Sequence, residues 1–207
     1  MLSAAETLFF QRMRADEGAA HDELVRVYLA SIYRVACRML RNRDEAAEVT
    51  VDAFIRLYHS VGQNEAGCSS LRPWVFKVAL SEIRNPLGWV HRRCRRLIQP
   101  TDDAALSEDR RTRGWGLENR SRELDLGPSV AIAPQEMARE RAVQAALEKL
   151  PRRRRSVVIL RDIEGCSYEE TAEILAISTG AVRRRLAKGR AALTRDLARY
   201  LSLGPNG

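Results

Sequence analysis

The sequence predicts an all-α fold of two small helical domains joined by a flexible linker, and three observations carry that expectation. Apolar residues recur at three- and four-residue steps, with no strand-like alternation anywhere in the 207 residues. The periodicity lapses from about Arg96 to Pro134, where Asp, Arg, Ser, Gly and Pro dominate and Trp115 is an isolated aromatic. It then resumes as a series of helical segments punctuated by cap and turn signals. The expected division is a first domain over 1–95, a linker over 96–134 and a second domain over 135–207.

In the first domain Leu24, Val27, Tyr28, Ile32, Val35, Met39 and Leu40 form the stripe of an amphipathic helix. Asn42-Arg43 breaks it, and Asp44 is placed to cap a second helix through Tyr58, with Glu45, Glu48 and Asp52 on or near its exposed side. Gly62 to Ser70 reads as a polar loop. Pro73 suits the first turn of a third helix carrying Trp74, Val75, Val78, Ala79 and Ile83, which Pro86 and Gly88 end or interrupt.

Beyond the linker, residues 135–150 form one helix, and Pro151 opens the next, which holds Val157, Val158, Ile159 and Leu160 until Gly165 stops it. Ser167-Tyr168-Glu169-Glu170 is a capping box, followed by the apolar face Tyr168, Ala172 and Leu175. After a short turn Ser178 caps a last helix, with Ile177 and Val182 spaced as a hydrophobic staple. Val182, Leu186 and Leu193 turn inward, which directs Arg183, Arg184, Lys188 and Arg190 largely outward. Two helices, a tight turn and a basic outer surface make a helix-turn-helix.

Composition narrows the function. The net charge of +8 is uneven: residues 1–60 carry 8 basic and 9 acidic side chains, and residues 61–207 carry 27 and 18. That asymmetry suits a chain that meets a protein with its first part and a polyanion with the rest. Cys37, Cys68, Cys94 and Cys166 show no metal-ligand spacing and read as plain thiols in a reducing compartment. No carboxylate or histidine cluster and no glycine-rich phosphate loop supports an enzyme or a cofactor. The N-terminus has no signal-like leader and no apolar run reaches membrane-spanning length, so a cytoplasmic protein is expected.

The helix-turn-helix carries the clearest chemistry. Ser178, Thr179, Gly180 and Ala181 are small enough for the first turn of the last helix to approach phosphates and base edges. Arg183 and Arg184 can form bidentate bonds to guanine or hold a phosphate. Arg195 and Arg199 lie beyond the unit and read as solvated. The run Arg152–Arg155 opposes its own helix dipole and could touch phosphate, a protein or water. In the first domain Arg72, Lys77, Arg84, Arg92 and Arg93 lie near Trp74, Phe76 and Trp89, a mixture suited to single-stranded DNA, although Trp74 fits better as a core residue.

The stretch AALEKLPRRRRSVVILRDIEGCSYEETAEILAISTGAVRRRLAKGRAAL closely resembles the C-terminal domain, region 4, of extracytoplasmic-function (ECF) sigma factors. LVRVYLASIYRVACRMLRNRDEAAEVTVDAFIRLYHS, with SLRPWVFKVALSEIRN after it, resembles the same family's region 2 helical bundle. The resemblance implies a non-enzymatic partner of core RNA polymerase and promoter DNA, restrained by an anti-sigma factor. It assigns Glu48, Val51 and Asp52 to polymerase binding, and the loop from Asn64 to Ser70 to capture of a flipped base in the downstream promoter element. Asn64, Ser69, Arg72, Lys77, Ser81, Arg84 and Asn85 would then contact melting DNA. Ser178, Thr179, Gly180, Ala181, Arg183, Arg184, Lys188 and Arg190 would read the upstream element as duplex. Val51 stands where the family usually has Gln, and Ser81 and Asn85 where it tends to have Asn and Asp. Ala176 replaces the Gly common in the turn, and the linker is longer than usual. The residues leave open two alternatives, a helix-turn-helix regulator that works without polymerase and a degenerate sigma-like protein.

Overall fold

A computed structural model of the chain describes residues 3–15, 17–61, 70–85 and 134–202. The described residues form eight α-helices and no strand, in keeping with the expected all-α class. In the first half these are α1 (Ala4–Arg14), α2 (Gly18–Met39), α3 (Arg43–Ser60) and α4 (Leu71–Arg84). The second half contains α5 (Pro134–Lys149), α6 (Arg152–Val158), α7 (Tyr168–Leu175) and α8 (Thr179–Ser202). The linker expected over 96–134 lies outside the described residues except for Pro134, which opens α5.

Local chemistry sets the helix ends. Ser3 and Glu6 make a capping box on α1, a helix the periodicity had not singled out. Asn42, rather than Asp44, caps α3: its Oδ1 accepts from the Asp44 amide at 2.8 Å, and Asp44 takes a first-turn position where its charge favours the dipole. Asn85 ends α4 in an extended conformation, as the residue before Pro86 must avoid the helical region. Helix α6 does not run straight to Gly165. It widens into a π-helical turn over Ile159–Ile163, and Gly165 then reverses the chain at φ 67°.

The helices bury two apolar clusters. One lies within the first half, where Phe9, Phe10 and Met13 of α1 close over Leu24, Val25 and Ile32 of α2, Phe54 and Leu57 of α3, and Trp74, Val75, Val78 and Ala79 of α4. Trp74 is fully buried, with Phe10 edge-on at 5.2 Å, which assigns it to the core rather than to DNA. Val27, expected in the α2 stripe, is 57% exposed.

The second cluster crosses between the halves. Val35, Ala36 and Met39 of α2, Ala46 and Val49 of α3, and Phe76, Leu80 and Ile83 of α4 pack with Leu147, Leu150, Val157–Leu160, Cys166, Ile174, Leu175, Val182 and Leu186. Helix α4 is therefore covered on two sides, by its own bundle and by α7. The two halves are therefore packed against each other through this second cluster.

Arg155 reinforces that junction. It is 7% exposed, and its guanidinium donates to the carbonyl oxygens of Met39 (3.1 Å), Glu148 (2.5 Å) and Leu150 (3.2 Å). The cation thus sits at the carboxyl ends of α2 and α5, where the helix dipoles are negative. Burial lowers its pKa from the usual guanidinium value. The last residue of the Arg152–Arg155 run is an interior clamp and is not available to phosphate.

At the crossing of α6 and α8, a Cβ built on Gly189 would lie 2.7 Å from Val158 Cγ2. Gly189→Ala gains roughly 1 kcal/mol of helix propensity but overpacks a buried contact, which typically costs about 1–3 kcal/mol. Packing should win, giving a lower urea midpoint for Gly189→Ala. A raised midpoint would mean that α8 can move away from α6 without loss.

Candidate nucleic-acid and partner-binding surfaces

The helix-turn-helix is built from the three local signals read in the sequence. Ser167 Oγ accepts from the Glu170 amide at 3.0 Å while Glu170 Oε2 accepts from the Ser167 amide at 2.6 Å, completing the capping box of α7. Ala176 turns the chain in the left-handed region at φ 52°. Ser178 Oγ then accepts from the Ala181 amide at 3.2 Å, capping α8. Ile177 packs against the same core that buries Val182, as the staple requires.

The polar and basic face of α8 points to solvent. Ser178, Arg183, Arg184, Lys188 and Arg190 are exposed, and Thr179, Gly180 and Ala181 are partly so. Arg184 folds back along the first turn, its Nη1 only 3.7 Å from where a Gly180 Cβ would stand. Arg183 lies over the Tyr168 ring at 5.3 Å, and Arg161 lies over the same ring at 4.2 Å. Tyr168 is therefore half core residue and half platform for two guanidinium groups. Arg190 is exposed but committed: it forks onto Asp162, with Nε at 3.0 Å from Oδ2 and a second bond from Nη2 to Oδ1. The carboxylate raises the Arg190 pKa and offsets its charge toward any phosphate.

In the first half Lys77, Ser81 and Arg84 form one exposed stripe of α4. The Ser81 hydroxyl donates to the Val78 carbonyl at 2.7 Å. Burial and the neighbouring Arg152 and Arg185 lower the pKa of Arg84, marking a concentration of positive charge where α4 meets the second half. Arg72 is turned away from the stripe and donates to the Glu164 carbonyl oxygen. Asn85 is partly exposed, and Asn64 and Ser69 lie outside the described residues. Glu48, Val51 and Asp52 share one face of α3, all partly buried, with one Glu48 carboxylate oxygen withdrawn from solvent. Among the described residues no His, Cys, Asp or Glu group could hold a metal ion, and no helix is long and apolar enough to cross a membrane.

Sequence reasoning missed a row of cross-half ion pairs. Arg34 grips Glu164 through two bonds, Nε to Oε1 at 2.7 Å and Nη2 to Oε2 at 3.0 Å, and the Glu164 side chain is only 2% exposed. Glu164 raises the Arg34 pKa. Arg38 pairs with Glu140 at 2.5 Å and donates to Gln144 Oε1 at 3.3 Å, and Arg41 reaches Glu148 at 3.5 Å. Gln144 returns a bond to the Cys37 carbonyl at 3.2 Å. Arg34 and Arg38 fall on one face of α2 and Arg41 follows just past its end, a spacing visible in the sequence; their glutamate partners, 102–130 residues away, were not.

Fold and site together define a two-part helical protein with a DNA-binding helix-turn-helix at its C-terminal end. Comparison with known families places the particular kind. Residues 24–96 match Sigma-70 region 2, and residues 140–193 match Sigma-70 region 4. The ECF RNA polymerase sigma factor SigE of Mycolicibacterium smegmatis is 32% identical over 185 residues, covering 87% of this chain and 63% of that protein. The RNA polymerase sigma-H factor of Pseudomonas aeruginosa is 28% identical over 187 residues, covering 90% and 91% respectively. The solved structure of CnrH in complex with the cytosolic domain of CnrY has a similar fold, with a TM-score of 0.62 at 20% identity over 95% of this chain and 99% of that one. The chain belongs to the sigma-70 family, in its extracytoplasmic-function group.

A left-handed Ala costs about 1 kcal/mol relative to glycine. Ala176→Gly should therefore raise the stability of the chain by about that amount, seen as a higher melting temperature by calorimetry with unchanged helix content. A lower melting temperature would mean that the gain in unfolded-state freedom outweighs the relief of strain.

Proposed function

We propose that this protein joins core RNA polymerase through its first half and directs it to promoters, reading the upstream element with α8 and helping to open the downstream element with α4. The observation that carries the reading is the pairing, in one chain, of a region 2 match with a helix-turn-helix whose Arg183, Arg184 and Lys188 are exposed. The protein acts as a specificity subunit in the cytoplasm, with no chemical step of its own. The proposed functional division is 1–95 for polymerase and downstream DNA, 96–134 as connector, and 135–207 for upstream DNA.

Each assigned group has a physical task. Glu48 and Asp52, with Val51 between them, offer acidic side chains on one face of α3 to a basic surface of polymerase, although Val51 supplies no hydrogen bond there. Lys77 and Arg84 supply charge to a melted strand, with Asn64, Ser69, Ser81 and Asn85 as its polar neighbours. Unstacking a base costs a few kcal/mol, so polymerase docking and base capture must supply that energy. On α8, Arg183 and Arg184 carry base or phosphate recognition, while Ser178, Thr179, Gly180 and Ala181 permit close approach. Lys188 contributes to phosphate binding and Arg190 mainly fixes α8 to the π-helical turn. An anti-sigma partner is part of the same proposal, since a similar fold, the sigma factor RpoE, was solved in complex with the anti-sigma factor NepR from Bartonella quintana.

Mixed with bacterial core polymerase, the protein should co-elute from a sizing column, and a Glu48→Lys, Asp52→Lys variant should elute alone. If the unaltered chain elutes alone yet binds duplex DNA specifically, it is an independent regulator. With holoenzyme and a duplex selected from a random pool, Arg183→Ala and Arg184→Ala should each weaken binding by about 1–3 kcal/mol. Arg190→Ala should cost less and Arg195→Ala almost nothing. Fluorescence anisotropy ranks the four, and equal losses at all of them would reduce the arginines to nonspecific charge.

A further inference from the structure

We propose that Glu6 of α1 is a positioning residue for promoter opening: its carboxylate fixes the first turn of α4, and with it the Lys77, Ser81 and Arg84 stripe, where an unpaired DNA strand is to lie. The inference rests on the sigma reading above, and it gives a task to a helix that precedes the residues matching region 2.

The start of α4 lacks the usual local supports. Ser70 occupies the N-cap position in an extended conformation, yet its side chain makes no cap hydrogen bond. The first turn holds no acidic residue, and Pro73 at its third position has no amide to offer a cap. The missing carboxylate arrives from 65 residues away. Glu6 Oε1 accepts from the Leu71 amide at 2.8 Å, which places a negative charge at the positive end of the α4 dipole. The other oxygen serves α1 itself, since Oε2 accepts from both the amide and the hydroxyl of Ser3 at 2.8 Å. One side chain therefore closes its own helix with one oxygen and starts a distant helix with the other. Burial acts to raise the Glu6 pKa, but the amides of Leu71 and Ser3 and the Ser3 hydroxyl outweigh it and hold the group below the usual carboxylate value.

The contact is held at a second point and braced from behind. Phe10, one turn further along α1, meets Trp74 edge-on at 5.2 Å, and both rings are buried. Arg12 ties the same helix to Glu17 and Glu23 at 3.0 and 3.2 Å. Helix α1 thus bears on the first turn of α4 through one apolar and one charged contact. The apolar contact is non-directional and tolerates sliding and rotation, whereas a hydrogen bond to one backbone amide selects a placement. Lys77, Ser81 and Arg84 are exposed at helical spacing along α4, so a rotation at its first turn moves all three together. Glu6 is an anion and acts through α4, not by touching DNA.

Holoenzyme assembled from bacterial core polymerase and the full chain tests this on a duplex promoter selected from a random pool, with 2-aminopurine in the downstream element reporting unpaired bases. Glu6→Ala removes both contacts of the carboxylate. Glu6→Gln keeps an acceptor for the Leu71 amide but disturbs the bonds to Ser3, and Ser3→Ala weakens the α1 cap without touching α4. Glu6→Ala should lower the equilibrium constant for opening about tenfold, the value of one charge-assisted hydrogen bond, with unchanged affinity for polymerase. Glu6→Gln should retain most of the opening and Ser3→Ala all of it. Leu71→Pro removes the amide from the other side, at a helix position that accepts proline, and adding Glu6→Ala to it should bring no further loss. Melting temperatures of the variants separate positioning from stability. Opening that falls in step with melting temperature across all of them would overturn the proposal and leave Glu6 a fold-stabilising group. Undiminished opening by Glu6→Ala would overturn it as well. If the unaltered chain fails to bind polymerase or to open the promoter, the sigma reading fails and takes the proposal with it; if it does both and every variant matches it, the positioning role alone is lost.

Discussion

Glu164 is the point on which the arrangement depends. It follows the π-helical turn, where Gly165 must reverse the chain, and its side chain is carried inward rather than out to water. An unpaired carboxylate there would be prohibitive, so the position of one acidic group dictates which surface of the first half the second half can meet. Hydrophobic burial of Phe76, Leu80 and Ile83 supplies attraction without direction, and the fork from Arg34 supplies the direction. Arg155, clamped on the ends of α2 and α5, makes the same junction rigid from the other side.

The basic side chains of α8 and α4 are prepared differently. On α8 the exposed cations are organised before any DNA arrives: Arg183 by the Tyr168 ring, Arg184 along the first turn, Arg190 by Asp162. Preorganised side chains lose less rotamer freedom on binding. On α4 the opposite holds, since Arg72 is engaged elsewhere and one face is covered. The α8 cations thus lie on the surface, while Arg72 of α4 is spent on a carbonyl oxygen of the second half.

The local parts of this fold were legible because their causes are local. The capping box at Ser167 and Glu170, the Ser178 cap, the strained Ala176 and the helix stop at Asn85-Pro86 each depend on a few consecutive residues, and each stands as read. Asn42 displaced Asp44 as a cap because both are competent and the choice turns on one residue of helix register. The π-helical turn was invisible because Val157–Leu160 is an unbroken apolar run, with no spacing from which a widened turn could be read. Arg155 was read with its three exposed-looking neighbours, since composition cannot say which member of an arginine run points inward. The shared core was hidden for a related reason: Phe76, Leu80 and Ile83 make α4 read as one apolar helix, and only the fold shows that two different partners divide it.

Because both halves belong to one chain, the strength of their contact is not that of two molecules meeting in solution. Residues 86–133 join the halves covalently, so their contact forms within one molecule and at an effective concentration that does not depend on how dilute the protein is. A contact far too weak to pull separated halves together can still be occupied most of the time within the chain. Tether length enters only logarithmically, each doubling costing about 0.6 kcal/mol. At Glu164, by contrast, a lost charge would leave Arg34 without the buried carboxylate that it grips from the other half.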